Sequence, residues 1–259
     1  MDLNSKSIGL VLSGGGSKGI AHAGAIKFLE EQGIKPKMLA GSSAGSIIAG
    51  LYAFGKTPEE ILNFFQSVVF FHWRHFTLKK PGIVDPESFR YYFEKLVGTT
   101  KIGDLSIPVK ITATDLISGK LKVFPEETKL SDAILASSSF PGMFSPYKIN
   151  GHLYSDGGIL NHFPSDLLQG QCEKIIGIYV SPIQNVEAKD LNSIRAVSTR
   201  AFELLSAHGN YQKFDLCDWV IEPKELSNYS TFETNKSKMK VIFDIGYNEA
   251  KKTFEELTS

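Results

Sequence analysis

Hydrophobic positions along this chain fall into short continuous runs that alternate with stretches of helical period. Residues 7–12 are one such run. They end at a glycine-rich segment and read as a buried strand. A helix is predicted next, with Ala21, Gly24, Ala25, Phe28 and Leu29 on one face and Gly33 at the left-handed C-cap position. Met38, Leu39 and Ala40 make a second strand, and a helix rich in small and apolar residues then runs to Gly55. The order β-α-β-α predicts a mainly parallel sheet covered by helices, hence an α/β/α sandwich of three layers.

Further along, Thr57-Pro58-Glu59-Glu60 carries the signs of a helix start: an N-cap threonine, proline at the first position and the glutamate of a capping box. Asp85-Pro86 repeats the pattern, opening a helix whose core face is Phe89, Tyr92, Phe93 and Leu96 and which ends at Gly98. Residues 109–113 and 121–124 read as a hairpin-like pair of strands around Ser118-Gly119, and Ser131-Asp132 as the cap of a short helix ending at Ser138. Residues 174–180 and 219–221 are later strands. Residues 191–208 are predicted helical, with Leu191, Ile194, Val197, Ala201, Leu204 and Leu205 facing inward. A final helix over about 238–257 carries Met239, Ile242, Gly246, Ala250, Phe254 and Leu257 at helical spacing. Residues 68–76 are aromatic-rich with cationic edges and lack a period; they read either as core under a loop or as a lipid-facing lid.

No linker divides the 259 residues, so a single domain over 1–259 is expected. The 28 basic and 28 acidic side chains cancel, which argues against a nucleic-acid binder that works by neutralising phosphates. Cys172 and Cys217 lack metal-ligand spacing and read as reduced core residues. With no signal peptide pattern and no apolar run near the roughly 18 residues of a membrane span, a cytoplasmic location is expected, with transient contact at a membrane surface.

The chemistry concentrates in three loops. Gly41-Ser42-Ser43-Ala44-Gly45 matches G-x-S-x-G between a strand and a helix, the context of a nucleophile elbow that lifts Ser43 clear of both elements. Gly14, Gly16 and Gly19 match G-x-G-x-x-G, but the second strand ends in serines, without the acidic residue that a dinucleotide fold uses to hold ribose. A P-loop fails as well, because Lys18 follows serine and Gly19 stands where Ser or Thr is needed. The fitting role is an oxyanion hole, in which amide groups of Gly14, Gly15 and Gly16 approach an ester oxygen as it gains charge. Lys18 adds positive potential or anchors the loop. Among histidines, His152 and His162 lie nearest Asp156 in sequence. His22 is expected on the surface of the first helix, His72 and His75 in the aromatic run, and His208 at a helix end. Asp156 is better placed than any of them, at a strand end before Gly157 and Gly158.

Taken in order, Gly14-Gly15-Gly16-Ser17-Lys18-Gly19, Gly41-Ser42-Ser43-Ala44-Gly45 and Asp156-Gly157-Gly158 resemble the patatin-like phospholipase family. The segment Ala136-Ser137-Ser138-Ser139-Phe140-Pro141 and the late Phe243-Asp244-Ile245-Gly246-Tyr247 are similar to small bacterial members, so the likeness covers residues 8–252. Ser13 departs from the aspartate that many plant members place before the glycines. The resemblance implies a patatin-like fold and a Ser–Asp dyad acting on lipid acyl esters. Ser43 would be the nucleophile and Asp156 the base, with no metal or cofactor, and Lys18, Gly19, Gly41, Gly45, Gly157 and Gly158 would support the motifs. A carboxylate with an ordinary pKa near 3.9 is a feeble base for an alcohol, so burial is expected to raise that of Asp156. Two other readings stand beside this one: a serine esterase or acyltransferase using a histidine base, and a non-catalytic nucleotide-binding protein of similar fold.

Overall fold

The computed structural model describes residues 7–68, 81–183, 185–208 and 210–259. The first half runs β1 (Ile8–Leu12), α1 (Ile20–Glu31), β2 (Met38–Ser42), α2 (Ala44–Ala53), α3 (Pro58–Ser67), α4 (Arg90–Val97), β3 (Val109–Asp115), β4 (Lys120–Val123) and α5 (Leu130–Ser137). The second runs β5 (Tyr147–Ile149), β6 (His152–Asp156), α6 (Gly158–Asn161), β7 (Lys174–Ile178), α7 (Ile194–His208), α8 (Asn210–Phe214), β8 (Trp219–Ile221) and α9 (Lys236–Thr258). One sheet has the order β5-β6-β3-β2-β1-β7-β8, with β4 also paired to β3. Pairing is parallel from β3 through β2, β1 and β7 to β8, and antiparallel where β6, β5 and β4 join.

Strand alternation explains why both faces of this sheet are dry. Ile8, Leu10 and Leu12 of β1 enter a large core with α1, α2 and α9. Val11 points the other way, into a smaller core with Phe163, Leu168, Ile175 and Tyr179. Cys172 and Cys217 are free, half-buried thiols packed against that second core. No helix among the described residues is long and apolar enough to cross a membrane.

The capping box at Thr57 forms as its sequence predicts: Thr57 Oγ1 accepts from Glu60 N at 3.2 Å and Glu60 Oε2 from Thr57 N at 2.9 Å. At Asp85 the chain first makes a 3₁₀ turn, Pro86–Phe89, before α4 begins. The hairpin of β3 and β4 turns at Gly119, with φ of 67°.

Two expectations are corrected. Helix α5 starts at Leu130, so Ser131 and Asp132 lie inside it. The Asp132 carboxylate instead accepts from Tyr147 Oη at 2.7 Å and pairs with Arg90. The helix expected over 191–208 begins at Ile194, and the apolar stripe of α7 faces outward: Ile194 is 88% exposed and Leu205 78%, with Val197, Ala201 and Leu204 exposed as well, as is Leu191 before the helix. The opposite face packs on the body of the molecule: Ser206 Oγ donates to Gly158 O at 3.1 Å, Thr231 Oγ1 donates to Glu203 Oε1 at 3.4 Å, and Phe202 sets its ring edge on Phe140. Most of the aromatic run at 68–76, including His72 and His75, lies outside the described residues; Val68 is buried.

Helices α1 and α9 pack backbone to backbone. A β-carbon on Gly24 would stand 1.9 Å from Phe243 O, and one on Gly246 2.0 Å from Ala21 O. Phe28 is wedged beside them against the edges of Tyr247 and Phe254. On helix propensity alone, Gly24→Ala would stabilise by up to about 1 kcal/mol. Overpacking of this kind costs about 1–3 kcal/mol and decides the sign. Gly24→Ala and Gly246→Ala are each expected to lower the urea midpoint of unfolding.

Candidate active site

Ser43 is the residue between β2 and α2, at φ 52° and ψ −124°, a backbone conformation that costs about 1–3 kcal/mol for a residue with a side chain. Close packing on either side makes the turn possible. A β-carbon on Gly41 would lie 2.5 Å from Gly45 O, and one on Gly45 2.2 Å from Leu12 O. The strained peptide is held at both ends. Its N–H donates to Ser137 Oγ at 2.9 Å, while its carbonyl accepts from Ser46 N at 2.9 Å and Ser46 Oγ at 2.6 Å.

The Ser43 hydroxyl donates to Asp156 Oδ2 at 2.6 Å, joining residues 113 positions apart in the chain. Asp156 ends β6, two strands away from β2 across β3. Its second oxygen accepts from Gly158 N at 2.7 Å, so the Asp-Gly-Gly segment leads from a strand into the short α6. The carboxyl group is 1% exposed. Burial pushes its pKa up to about 6 although the bonds from Ser43 and Gly158 oppose the rise.

The glycine loop after β1 offers fewer free donors than three. Gly14 N–H donates to His162 O at 3.0 Å, which removes Gly14 from the expected set. Gly15 and Gly16 face the cavity, and their N–H groups have no acceptor among the described residues. Gly16 has φ of 57° and touches Thr231 so closely that a β-carbon would fall 2.2 Å from its carbonyl oxygen. Ser13, the departure from aspartate, anchors the loop through its hydroxyl: Oγ accepts from Val180 N at 3.0 Å and donates to Gly14 O at 2.9 Å. Lys18 lines the same cavity and is 6% exposed; burial pushes its pKa down, against the attraction of Glu203. Gly19 packs against Ala44.

The cavity holds about 130 Å³ and is walled by Ile47, Phe65, Phe140, Phe144, Phe202 and Phe232, with Ser43 and Asp156 at its polar end. Among the described residues no histidine bonds Ser43, and no cluster of His, Cys, Asp or Glu could hold a metal ion. His22 is fully buried rather than on the surface, its Nε2 bonded to Ser13 O at 2.9 Å, and burial pushes its pKa down to about 3. His152 pairs with Asp115 at 2.9 Å. His162 also lines the cavity, but neither ring nitrogen has a partner, and burial lowers its pKa to about 4. Ser137 and Ser46 grip the Ser43 peptide; Ser137 lies in the segment 136–141 that carries the family likeness, but nothing in the sequence assigns either serine a role.

The raised pKa of Asp156 carries a stability consequence with a definite sign. Between about pH 4 and pH 6 the folded chain keeps a proton that the unfolded chain releases, so stability falls as pH rises through that window. Two pKa units correspond to on the order of 3 kcal/mol. Asp156→Asn, neutral at every pH, is expected to raise the melting temperature at pH 7.5. Thermal scans should find that gain vanishing near pH 4.

A family model described as patatin-like phospholipase matches residues 10–168. An NTE family protein of Mycobacterium tuberculosis is 32% identical over 179 residues, covering 64% of this chain and 47% of that protein. YqhO of Bacillus subtilis is 30% identical over 236 residues, 76% of this chain and 77% of the relative. Lysophospholipase NTE1 of Saccharomyces cerevisiae is 30% identical over 190 residues, 69% of this chain and 11% of that protein. The chain thus spans about half the length of the mycobacterial relative and a small part of the yeast one. VipD from Legionella pneumophila shares the fold, with a TM-score of 0.56 at 16% identity over 97% of this chain and 67% of its own. With a matched family model over more than half its length, the chain belongs to the patatin-like phospholipase family.

Proposed function

We propose that the chain is a serine acyl hydrolase that cleaves carboxylic esters of phospholipids or related lipids through Ser43, Asp156 and an acyl-enzyme. The observation that carries this reading is the 2.6 Å bond from the Ser43 hydroxyl to a buried carboxylate at the end of an aromatic cavity. The yeast relative's name, lysophospholipase, supports a lipid ester as substrate.

In the first half-reaction Ser43 Oγ attacks the ester carbonyl carbon and its proton passes to Asp156 Oδ2. The oxygen that gains charge is met by the amides of Gly15 and Gly16, with Lys18 adding positive potential nearby. The carbon–oxygen bond to the alcohol then breaks, and Asp156 returns the proton to the leaving oxygen. In the second half water attacks the acyl carbon, Asp156 takes a proton from it, and that proton goes back to Ser43 Oγ as the fatty acid departs. A carboxylate with a pKa near 6 is a better base than an ordinary aspartate and is still ionised at neutral pH. The aromatic walls accept an acyl chain because burying it there removes apolar surface from water.

Two measurements test the proposal. A fluorophosphonate probe is expected to add once to the wild type, by intact mass, and not to Ser43→Ala. On a soluble ester such as p-nitrophenyl butyrate, kcat/KM is expected to rise through about pH 6 as Asp156 ionises. Asp156→Asn should lower kcat by about 10²–10⁴-fold. An Asp156→Asn variant with near wild-type turnover and an inactive His162→Ala would transfer the base to histidine.

A further inference from the structure

The serine and the carboxylate come from strands that do not touch, since β3 lies between β2 and β6. A bond of 2.6 Å across that gap needs something to fix the two peptides relative to one another. Ser137, the last residue of α5, touches both. Its Oγ accepts the N–H of Ser43 at 2.9 Å, and its carbonyl accepts the N–H of Gly157, the peptide that follows Asp156, at 3.1 Å. Ser137 is fully buried, so it is shielded from bulk solvent. The same turn adds a second tie to the acid, Asp156 N donating to Ser139 O at 3.0 Å.

We infer that Ser137 is a positioning residue for the reaction, setting the alignment of the Ser43 hydroxyl on Asp156 by gripping both peptides at once. The inference rests on the Ser43–Asp156 reading above. Three physical points support it. The Ser43 conformation is strained and persists only where its surroundings over-determine it. An amide N–H that loses its buried acceptor becomes unsatisfied, which pushes the peptide to rotate toward a new partner. Rotation of that peptide swings the Ser43 side chain, and a shift of about 1 Å in a reacting group can lower a rate about 100-fold.

Deleting the hydroxyl separates positioning from mere packing. Ser137→Ala is expected to lower kcat on a soluble ester about 10–100-fold with KM nearly unchanged. It should also move the pH profile: once the bond from Ser43 that holds the Asp156 pKa down is loosened, the apparent pKa of kcat/KM rises above about 6. Ser131→Ala is the control, since it removes another buried hydroxyl of α5 that has no partner in the structure. It should leave rate and pH profile at wild-type values. Ser137→Cys, which keeps a weak acceptor, should fall between serine and alanine, and it decides the matter if the alanine variant does not fold. Wild-type kcat and pH profile in a folded Ser137→Ala or Ser137→Cys, with Ser43→Ala inactive, would overturn this inference and leave the proposed function standing. An active Ser43→Ala would overturn both.

Discussion

A hydroxyl hydrogen-bonded to a buried carboxylate governs the arrangement around it. In bulk solvent an aspartate is ionised far below neutrality and has little appetite for a serine proton. Burial reverses part of that preference. The same burial makes every unpaired polar atom nearby expensive, which accounts for the hydrogen bonds surrounding the pair. Gly158 N–H satisfies one carboxylate oxygen and Ser43 the other, while Ser137 and Ser46 take up the Ser43 peptide. The sheet supplies the frame: β1 and β2 end side by side, and the register of antiparallel β6, with Asp156 opposite Ala113, sets the carboxylate level with the end of β2.

Division of labour within the glycine loop follows from the same scarcity of acceptors. Gly14 gives its amide to His162 and so fastens the loop to the segment after Asp156. Gly15 and Gly16 are left to face the cavity. Three identical residues in a row thus hold different posts, one structural and two available to a ligand. His162 completes the packing as a neutral ring between Gly14 and Gly158, close to both but bonded to neither through its imidazole. Its neutrality fits the nearby Lys18, because a second buried cation there would be repelled.

Much of this was legible because the constraints that shape the loops are local. A strained elbow needs small residues on either side, and Gly41 and Gly45 announce it at fixed spacing. The helix start at Thr57 and the unbroken apolar run of β1 are likewise written into neighbouring positions. The face of α7 was not legible, since a period of 3.6 identifies a stripe but is silent on which way it turns. Ser206 and Glu203 hold the opposite face through bonds to Gly158 and Thr231, far away in the chain. The segment holding Ser137 stood out in the sequence but its task did not, because that depends on a partner, Ser43, 94 residues away. His22 looked like a surface residue because nothing near it in sequence reveals that its ring reaches back to Ser13.

The backbone contact between α1 and α9 bears on how the molecule is made. Glu31 and Tyr247, joined by a hydrogen bond, are 216 positions apart. During synthesis the first helix emerges long before the last one, and its Phe28 and glycine face stay uncovered for that whole interval. Such long-range closure is slow and leaves sticky intermediates. Every strand of the sheet precedes α9, so a chain made only that far has its sheet whole and the glycine face of α1 bare.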